Sequence, residues 1–250
     1  MTQKLALAGG KAVRSKPFTE WPVFGPEERE NLLRVFDSGK WWYGEQVQEF
    51  ERRYAEFQDA KYGVTFANGT LALEAAMAAN GIGAGDEVIV PPYTFMATAR
   101  YLDEQLKGMS GLGLMRGDSR VTRRSYHMYV FRHLAEKWDG ITREMFLAAL
   151  EAEGIPASFG YPAPLYKNPV FSLTGDGPRN CPRSCPFYGQ PTDYQSVVCP
   201  NTEQICREAC WIPHAVLLGD ESDMRDIVMA ITKVWEQRES LRKIKISQKT

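Results

Sequence analysis

Residues 62–100 constrain the fold of this chain most strongly, because strand and helix signals alternate there over short distances. β-Branched and aromatic residues in Tyr62–Ala67 predict a strand, and the turn Asn68–Gly69 leads into a helix predicted over Thr70–Ala79. A second apolar strand is predicted at Glu87–Val90, followed by another helix. This order is typical of a parallel α/β sheet, because parallel neighbouring strands need a helical crossover between them.

The turn Asn68–Gly69 and the following Thr70 form the strongest candidate binding site in the sequence. The first N–H groups of a helix have no partner within the helix and carry a partial positive charge, so they attract anions such as phosphate. The Thr70 hydroxyl adds another hydrogen-bond donor. A purely structural alternative stays open, in which Asn68 or Thr70 caps the helix and Gly69 makes the turn.

The composition is that of an ordinary globular protein, and it excludes several functions. The 250 residues carry 30 Lys and Arg against 31 Asp and Glu, a net charge of −1, and 44% are hydrophobic. This supplies a core and argues against disorder. A near-neutral chain has no general attraction for nucleic-acid phosphates, so no nucleic-acid partner is expected. No apolar run approaches the roughly 18 residues of a membrane span, so we expect a cytoplasmic protein with no membrane partner.

All the cysteines lie in the last third of the chain, and they raise the question of a metal site. Their odd number and the chain length argue against a secreted disulfide scaffold. Two of them, with His214 close by, are predicted to share a helix face, but the spacings are wider than those of usual zinc pairs. We predict reduced thiols and no metal site, with zinc as the alternative. The cysteines are Cys181, Cys185, Cys199, Cys206 and Cys210.

The remaining sequence predicts an extended arm at residues 1–25 and a second half of α+β type, in which helices cover strands. A strand is predicted over Arg124–Arg132, and the flanking histidines, His127 and His133, are interpreted as solvent-facing or locally satisfied. Further helices are predicted over Pro26–Asp37, Val47–Phe57, Thr142–Glu153, Asn201–Cys210 and from Ser222 onward.

Longer motifs give the chain a family resemblance. The stretches Phe66–Leu73 and Gly81–Thr98 closely resemble the sugar aminotransferases of the DegT/DnrJ/EryC1/StrS family. Gly39–Gly44 is similar to the family's N-terminal segment, and Tyr126–Arg132 and Gly160–Tyr166 are similar to its C-terminal domain. The resemblance runs through nearly the whole chain and is weakest in the cysteine-rich region.

The resemblance implies an α/β fold, with a remnant of the large domain of a fold-type-I transferase dependent on pyridoxal 5'-phosphate (PLP) joined to its α+β C-terminal domain. It implies a homodimer that transfers an amino group, commonly from glutamate or glutamine, to a keto-sugar or keto-cyclitol. By the same resemblance, Gly69 and Thr70 hold the cofactor phosphate and Phe95 stacks on the pyridine ring. A helix N-terminus suits phosphate and a flat apolar ring suits pyridine.

Two of the family's essential residues have no counterpart in this chain: the Schiff-base lysine and the aspartate that pairs with the pyridine nitrogen. After Ala97–Ala99 the chain passes directly to Arg100–Leu106, which resembles the start of the C-terminal domain. A stretch the size of a small domain, roughly a hundred residues or more, is missing by comparison. We therefore predict an arm and truncated large domain at 1–99 and a small domain at 100–250.

Most of the twelve lysines fall on arms, polar helix faces or the tail, so none is predicted to replace the missing one. The chain is therefore expected to be catalytically incompetent. Three alternatives stay open: an enzyme with a rebuilt cofactor site, a non-catalytic partner of a full-length paralogue, and a zinc module. Losing the middle strands would also leave exposed apolar surface and favour association.

Overall fold

The computed structural model describes residues 3–83, 86, 100–115, 128–169 and 193–244. These residues divide into two compact units. One, called here the N-terminal unit, is residues 22–83, and the other, the C-terminal unit, combines residues 3–21 with all described residues from 100 onward. Several predicted features lie outside the described residues: the strand Glu87–Val90, Phe95, His127, Cys181 and Cys185.

Three helices make up most of the N-terminal unit, and all three were predicted from sequence. Pro26 occupies the first turn of α1, where its missing N–H costs nothing. The Asn68 side chain caps α3 by accepting a hydrogen bond from the Leu71 N–H at 3.0 Å. The helices are α1 (Pro26–Ser38), α2 (Glu45–Phe57) and α3 (Gly69–Ala79).

The strand predicted at Tyr62–Ala67 is wrong, because these residues pair with no strand in the described part of the chain. They run extended beside α2 instead. Strand propensity measures how well a residue fits into a sheet. A segment with this propensity forms a strand only where a neighbouring strand is available for backbone hydrogen bonding.

Apolar side chains of the N-terminal unit are largely exposed, as predicted for this part of the chain. Leu32 and Phe36 of α1 are 72% and 63% exposed, and Phe57 of α2 is 76% exposed. Ala55 is the single buried residue in the three helices. Both helices therefore present an apolar stripe that nothing described in this unit covers.

An antiparallel four-stranded sheet forms the centre of the C-terminal unit, in the order β1-β2-β4-β3. Strand β2 pairs with β4 so that Phe131 lies opposite Cys210, and both side chains are fully buried. The alternation of β2 thus places Tyr129, Phe131 and His133 on the main core face. The strands are β1 (Leu112–Leu114), β2 (Met128–His133), β3 (Ser158–Phe159) and β4 (Ala209–Pro213).

Helices cover this sheet and complete the predicted α+β architecture. Thr142 caps α5, and Asp220 caps α7 by accepting from the Asp223 N–H at 3.0 Å. In α7, the residues at helical spacing are buried in the core, among them Ile227, Ile231 and Val234. The helices are α4 (Arg100–Leu106), α5 (Arg143–Ala152), α6 (Pro200–Glu208), α7 (Glu221–Glu236) and α8 (Arg238–Leu241).

The N-terminal arm belongs structurally to the C-terminal unit, whereas the sequence boundary at residue 99 grouped it with the first domain. It is also more ordered than an extended arm, since Ala6–Ala8 form a 3₁₀ turn. Leu5 is 1% exposed and lies in the main core, and Arg14 is 5% exposed. The long-range contacts that hold the arm have no local signature in sequence.

Candidate functional site

The candidate site begins at the N-terminus of α3, where the sequence predicted a phosphate cradle. Gly69 and Thr70 are the first two residues of the helix, and both are exposed. A Cβ added at Gly69 would meet no protein atom within 4 Å, so the space beside the helix start is open. The structural alternative is present as well, since Asn68 caps the helix. The cap engages the Leu71 N–H, and the cradle would use the first two N–H groups.

The chain leading into α3 is held by Glu51 of α2. Its Oε1 accepts hydrogen bonds from the Thr65 N–H and the Thr65 hydroxyl, both at 2.8 Å, and its Oε2 accepts from the Tyr43 hydroxyl at 2.7 Å. A Cβ at Gly63 would lie 2.6 Å from the Glu51 carbonyl oxygen, so the extended segment passes close to the helix backbone. Glu51 therefore positions the entry to the candidate site.

Hydrogen bonding explains the titration of the Glu51 carboxyl. The backbone N–H of Thr65 is the largest cause of a lowered pKa, and the hydroxyls of Tyr43 and Thr65 add to it. Glu51 is thus a stable anion near neutral pH. Sequence reasoning missed this residue, because its partner Thr65 lies fourteen positions away and no local pattern links the two.

Phe95, predicted to stack on the pyridine ring, lies outside the described residues. Gly69 and Thr70 lie together because they are adjacent in sequence, and cofactor binding by Gly69, Thr70 and Phe95 stays a prediction.

The environment of the lysines bears directly on covalent chemistry. Of the ten lysines among the described residues, nine are exposed. The remaining one, Lys233, is 8% exposed, and its Nζ lies 2.8 Å from the fully buried Glu153 carboxylate. A lysine that bonds covalently to a carbonyl cofactor must lose its proton near neutral pH, which requires desolvation without a paired anion. No lysine in the described segments meets that requirement.

Two of the cysteines correct a sequence prediction. Cys206 lies in α6, but Cys210 lies in β4, so the two do not share a helix face as predicted. Pairing with β2 ends the helix at Glu208, because the sheet ladder outweighs local helix propensity. Burial raises the pKa of the Cys210 thiol to about 12, and metal binding requires the thiolate. Within the described ranges, no group of three His, Cys, Asp or Glu side chains could hold a metal ion.

His133 corrects another expectation, since it neither faces solvent nor is fully hydrogen-bonded. Its side chain is 1% exposed, its ring stacks on Trp138 at 5.0 Å between centroids, and Phe146 lies 5.5 Å away. Its Nε2 is buried without a hydrogen-bond partner. Burial lowers the pKa of His133 to about 4, so the imidazole is neutral at physiological pH.

Comparison with solved structures defines the class of the fold. The chain is similar to the crystal structure of 3-amino-5-hydroxybenzoic acid (AHBA) synthase, with a TM-score of 0.68 and 16% identity, covering 92% of this chain and 100% of that one. At this identity the similarity establishes the fold, which is the fold-type-I class that the resemblance implied.

Sequence comparison links one segment of the chain to a known family. Residues 22–102 match the profile of the DegT/DnrJ/EryC1/StrS aminotransferase family, which confirms the resemblance over that segment. The chain is 40% identical over 105 residues to L-glutamine:2-deoxy-scyllo-inosose aminotransferase of Streptomyces lividus, a match covering 39% of this chain and 25% of that protein.

It is also 38% identical over 91 residues to 3-amino-5-hydroxybenzoate synthase of Amycolatopsis mediterranei, covering 36% and 24%. The chain thus spans about a quarter of the length of the curated relatives that it matches.

Among the residues that the structure describes, none of the helices has both the length and the apolar character of a membrane span.

Proposed function

We propose that this chain is a relative of the sugar and cyclitol aminotransferases that keeps a phosphate anchor but transfers no amino group. One observation carries the proposal: every lysine in the described part of the chain is either exposed or, in the case of Lys233, neutralised by a buried carboxylate. None is set up to lose its proton and hold a cofactor covalently.

The residues at the start of α3 fit the phosphate group of PLP. The N–H groups of Gly69 and Thr70 and the Thr70 hydroxyl are suitable donors, and the space beside Gly69 is open. Phe95 would supply the flat face for the ring, by the family resemblance. When bound in an aminotransferase, PLP supplies an electron sink for the carbon that carries the amino group.

The chain's own residues account for binding and orientation only. Asn68 fixes the first turn of α3, and Glu51 fixes the extended segment that leads to it. The proton transfer between two carbon atoms that amino transfer needs would fall to a neutral lysine, for which the described residues offer no candidate. The ligand class would be a PLP-like phosphate ester together with a keto-sugar or keto-cyclitol.

A binding experiment tests the phosphate anchor. Equilibrium dialysis with PLP should show weak binding that excess inorganic phosphate displaces. Gly69→Ala should reduce this binding, because a methyl group enters the open space beside the first N–H groups. Gly83→Ala is the matched control, since a Cβ there also meets no protein atom within 4 Å. Equal binding by both variants, or no competition by phosphate, would contradict the anchor.

A second experiment tests the absence of amino transfer. The chain is incubated with PLP, an amino donor such as L-glutamine and a keto-cyclitol acceptor. We expect no aminated product, and borohydride reduction should leave PLP scattered over exposed lysines, in proportion to its excess. A visible band that borohydride abolishes, a single stoichiometric lysine adduct and measurable amino transfer would together overturn the proposal.

A second candidate function is favoured by the exposed apolar stripes of α1 and α2, which suit a non-catalytic partner of a full-length paralogue. Co-expression of tagged chain with such a paralogue should yield a stoichiometric complex. Replacing Leu32 and Phe36 by Ser should abolish it. A paralogue that elutes separately from the wild-type chain at micromolar concentrations would rule this function out.

A further inference from the structure

The N-terminal arm is held in the C-terminal unit by contacts of the kind that recognise a peptide. The centre of these contacts is Glu153, which follows the last turn of α5 and is fully buried. Its carboxylate accepts the Ala6 N–H at 2.8 Å, the Val13 N–H at 2.9 Å and the Lys233 ammonium at 2.8 Å. Lys233 also donates to the Lys11 carbonyl at 2.8 Å. The buried ion pair of Glu153 and Lys233 thus makes hydrogen bonds to three backbone groups of the arm.

Arg14 is the second fixed point of the arm. Its guanidinium lies 2.7 Å from Asp223 and 2.8 Å from Asp226, both in α7, and donates to the Pro17 carbonyl at 3.0 Å. It also lies 3.8 Å from the centre of the Phe18 ring, so the arm folds back over its own arginine. The Arg14 side chain is almost completely enclosed, so its ion pair with Asp223 is shielded from solvent and salt, whereas Asp226 stays partly exposed.

The groove also selects by shape. Gly154 adopts a φ of +88°, and a Cβ there would lie 2.2 Å from the Arg14 carbonyl oxygen, so the arm backbone passes directly against a glycine. The Arg14 N–H donates to the Glu153 carbonyl at 3.0 Å. Leu5 is inserted into the main core at the other end of the arm. The groove therefore recognises an apolar anchor, backbone N–H and carbonyl groups of the arm and an arginine.

The connection that leads out of the arm lies at the surface. Thr19 and Glu20 are exposed, and the first segment of the compact unit that contains the arm ends at Trp21. The contacts described above all lie before that point. Non-covalent contacts of this number and burial are typical of a peptide held by pockets and main-chain hydrogen bonds.

We propose that this groove of the C-terminal unit, formed by Glu153, Gly154, Asp223, Asp226 and Lys233, is a peptide-binding site whose ligand is residues 3–18. The arm stays bound after the chain is cut beyond residue 18, and it exchanges with an identical arm peptide supplied in solution. The site takes a peptide with an apolar residue at its start, a turn after it and an arginine toward its end.

The test uses the full chain with a specific protease sequence inserted after Thr19, in the exposed connection. After cleavage at micromolar concentration, gel filtration and intact-mass measurement should find the arm still with the remainder. Near-UV circular dichroism should be unchanged. Release of the arm, whether the remainder stays folded or unfolds, would overturn the proposal, because the arm would then not be an independent ligand.

Competition by synthetic arm peptides tests the recognition without altering the folded protein. A labelled wild-type peptide should exchange into the cleaved protein. A peptide carrying Arg14→Ala should compete at least roughly 30-fold more weakly, because it leaves Asp223 and Asp226 without their buried cation. A peptide carrying Lys11→Ala should compete like wild type, since the Lys11 side chain is exposed and its carbonyl makes the contact. Equal competition by the two variants would refute the assigned groove.

Discussion

Acidification is expected to destabilise the C-terminal unit through His133, whose imidazole is buried against Trp138 and Phe146. Burial disfavours the charged ring and lowers its pKa from 6.5 to about 4, while the nearby Glu144 carboxylate opposes this and Arg143 adds to it. In the unfolded chain the ring takes up a proton once the pH falls below about 6.5. The contribution to stability is therefore complete above that pH and is lost as the pH falls toward 4.

The size of the effect follows from the two pKa values. One pKa unit corresponds to about 1.4 kcal/mol, so the gap between 6.5 and about 4 is worth about 3 kcal/mol in total. At pH 4.5 about 2–3 kcal/mol of this should already be lost relative to pH 7.5. A loss of this size is a large fraction of the stability of a typical domain, which is about 5–15 kcal/mol.

Urea denaturation at pH 7.5, 6.5, 5.5 and 4.5, followed by near-UV circular dichroism, measures the effect. His133→Phe keeps an aromatic ring of similar size against Trp138 and costs no hydrogen bond at Nε2, which has none in the wild type. The variant should lose about 2–3 kcal/mol less than wild type between pH 7.5 and 4.5. Phe146→Leu, a packing control in the same cluster, should lower stability by a similar amount at every pH.

An equal loss of unfolding free energy in His133→Phe and wild type on acidification would show that the imidazole does not cause the pH dependence. The same conclusion would follow if Phe146→Leu changes the pH dependence as much as His133→Phe, since packing rather than the imidazole would then be responsible.

Four further substitutions test the backbone, a helix cap and the exposed surface. Gly154→Ala should destabilise the protein severely, because the new methyl group would collide with the Arg14 carbonyl. Gly108→Ala, with a φ of +91° and no atom within 4 Å, should cost only about 1–2 kcal/mol in thermal unfolding. Asp220→Ala removes the α7 cap and should cost about 1 kcal/mol. Phe36→Ser should reduce concentration-dependent association in analytical ultracentrifugation and leave the melting temperature unchanged.

Each of these predictions has a result that would contradict it. Equal losses of stability in Gly154→Ala and Gly108→Ala would mean that the arm does not pass against Gly154 in solution. An unchanged melting temperature for Asp220→Ala would show that the cap of α7 does not contribute to stability. A wild-type chain that sediments as a monomer at high concentration would remove the basis for the change at Phe36.

Local chemistry in the sequence was sufficient for most helices. The spacing of apolar residues and the residues at the ends predicted α1, α2, α3, α5 and α7 to within a few positions. The predicted phosphate cradle is also local, because Asn68, Gly69 and Thr70 are consecutive and the helix start itself would provide the donors. Phosphate binding there stays a prediction. The family resemblance also depended on contiguous motifs, and the match over residues 22–102 contains those of the first half of the chain.

Contacts between distant residues decided the rest. Local propensity predicted a strand at Tyr62–Ala67 and a helix running to Cys210. The segment Tyr62–Ala67 has no neighbouring strand to pair with, so it is extended but forms no strand. The end of the predicted helix pairs with β2 and so becomes strand β4.

The arm shows the same division, because Glu153 reaches Ala6 and Val13 across about 140 residues of sequence. The side-chain types that make such contacts are written in the sequence. Which of these side chains come into contact is decided only by the tertiary fold. Burial and a lowered dielectric, which stabilise an ion pair or a neutral histidine, exist only in the folded core.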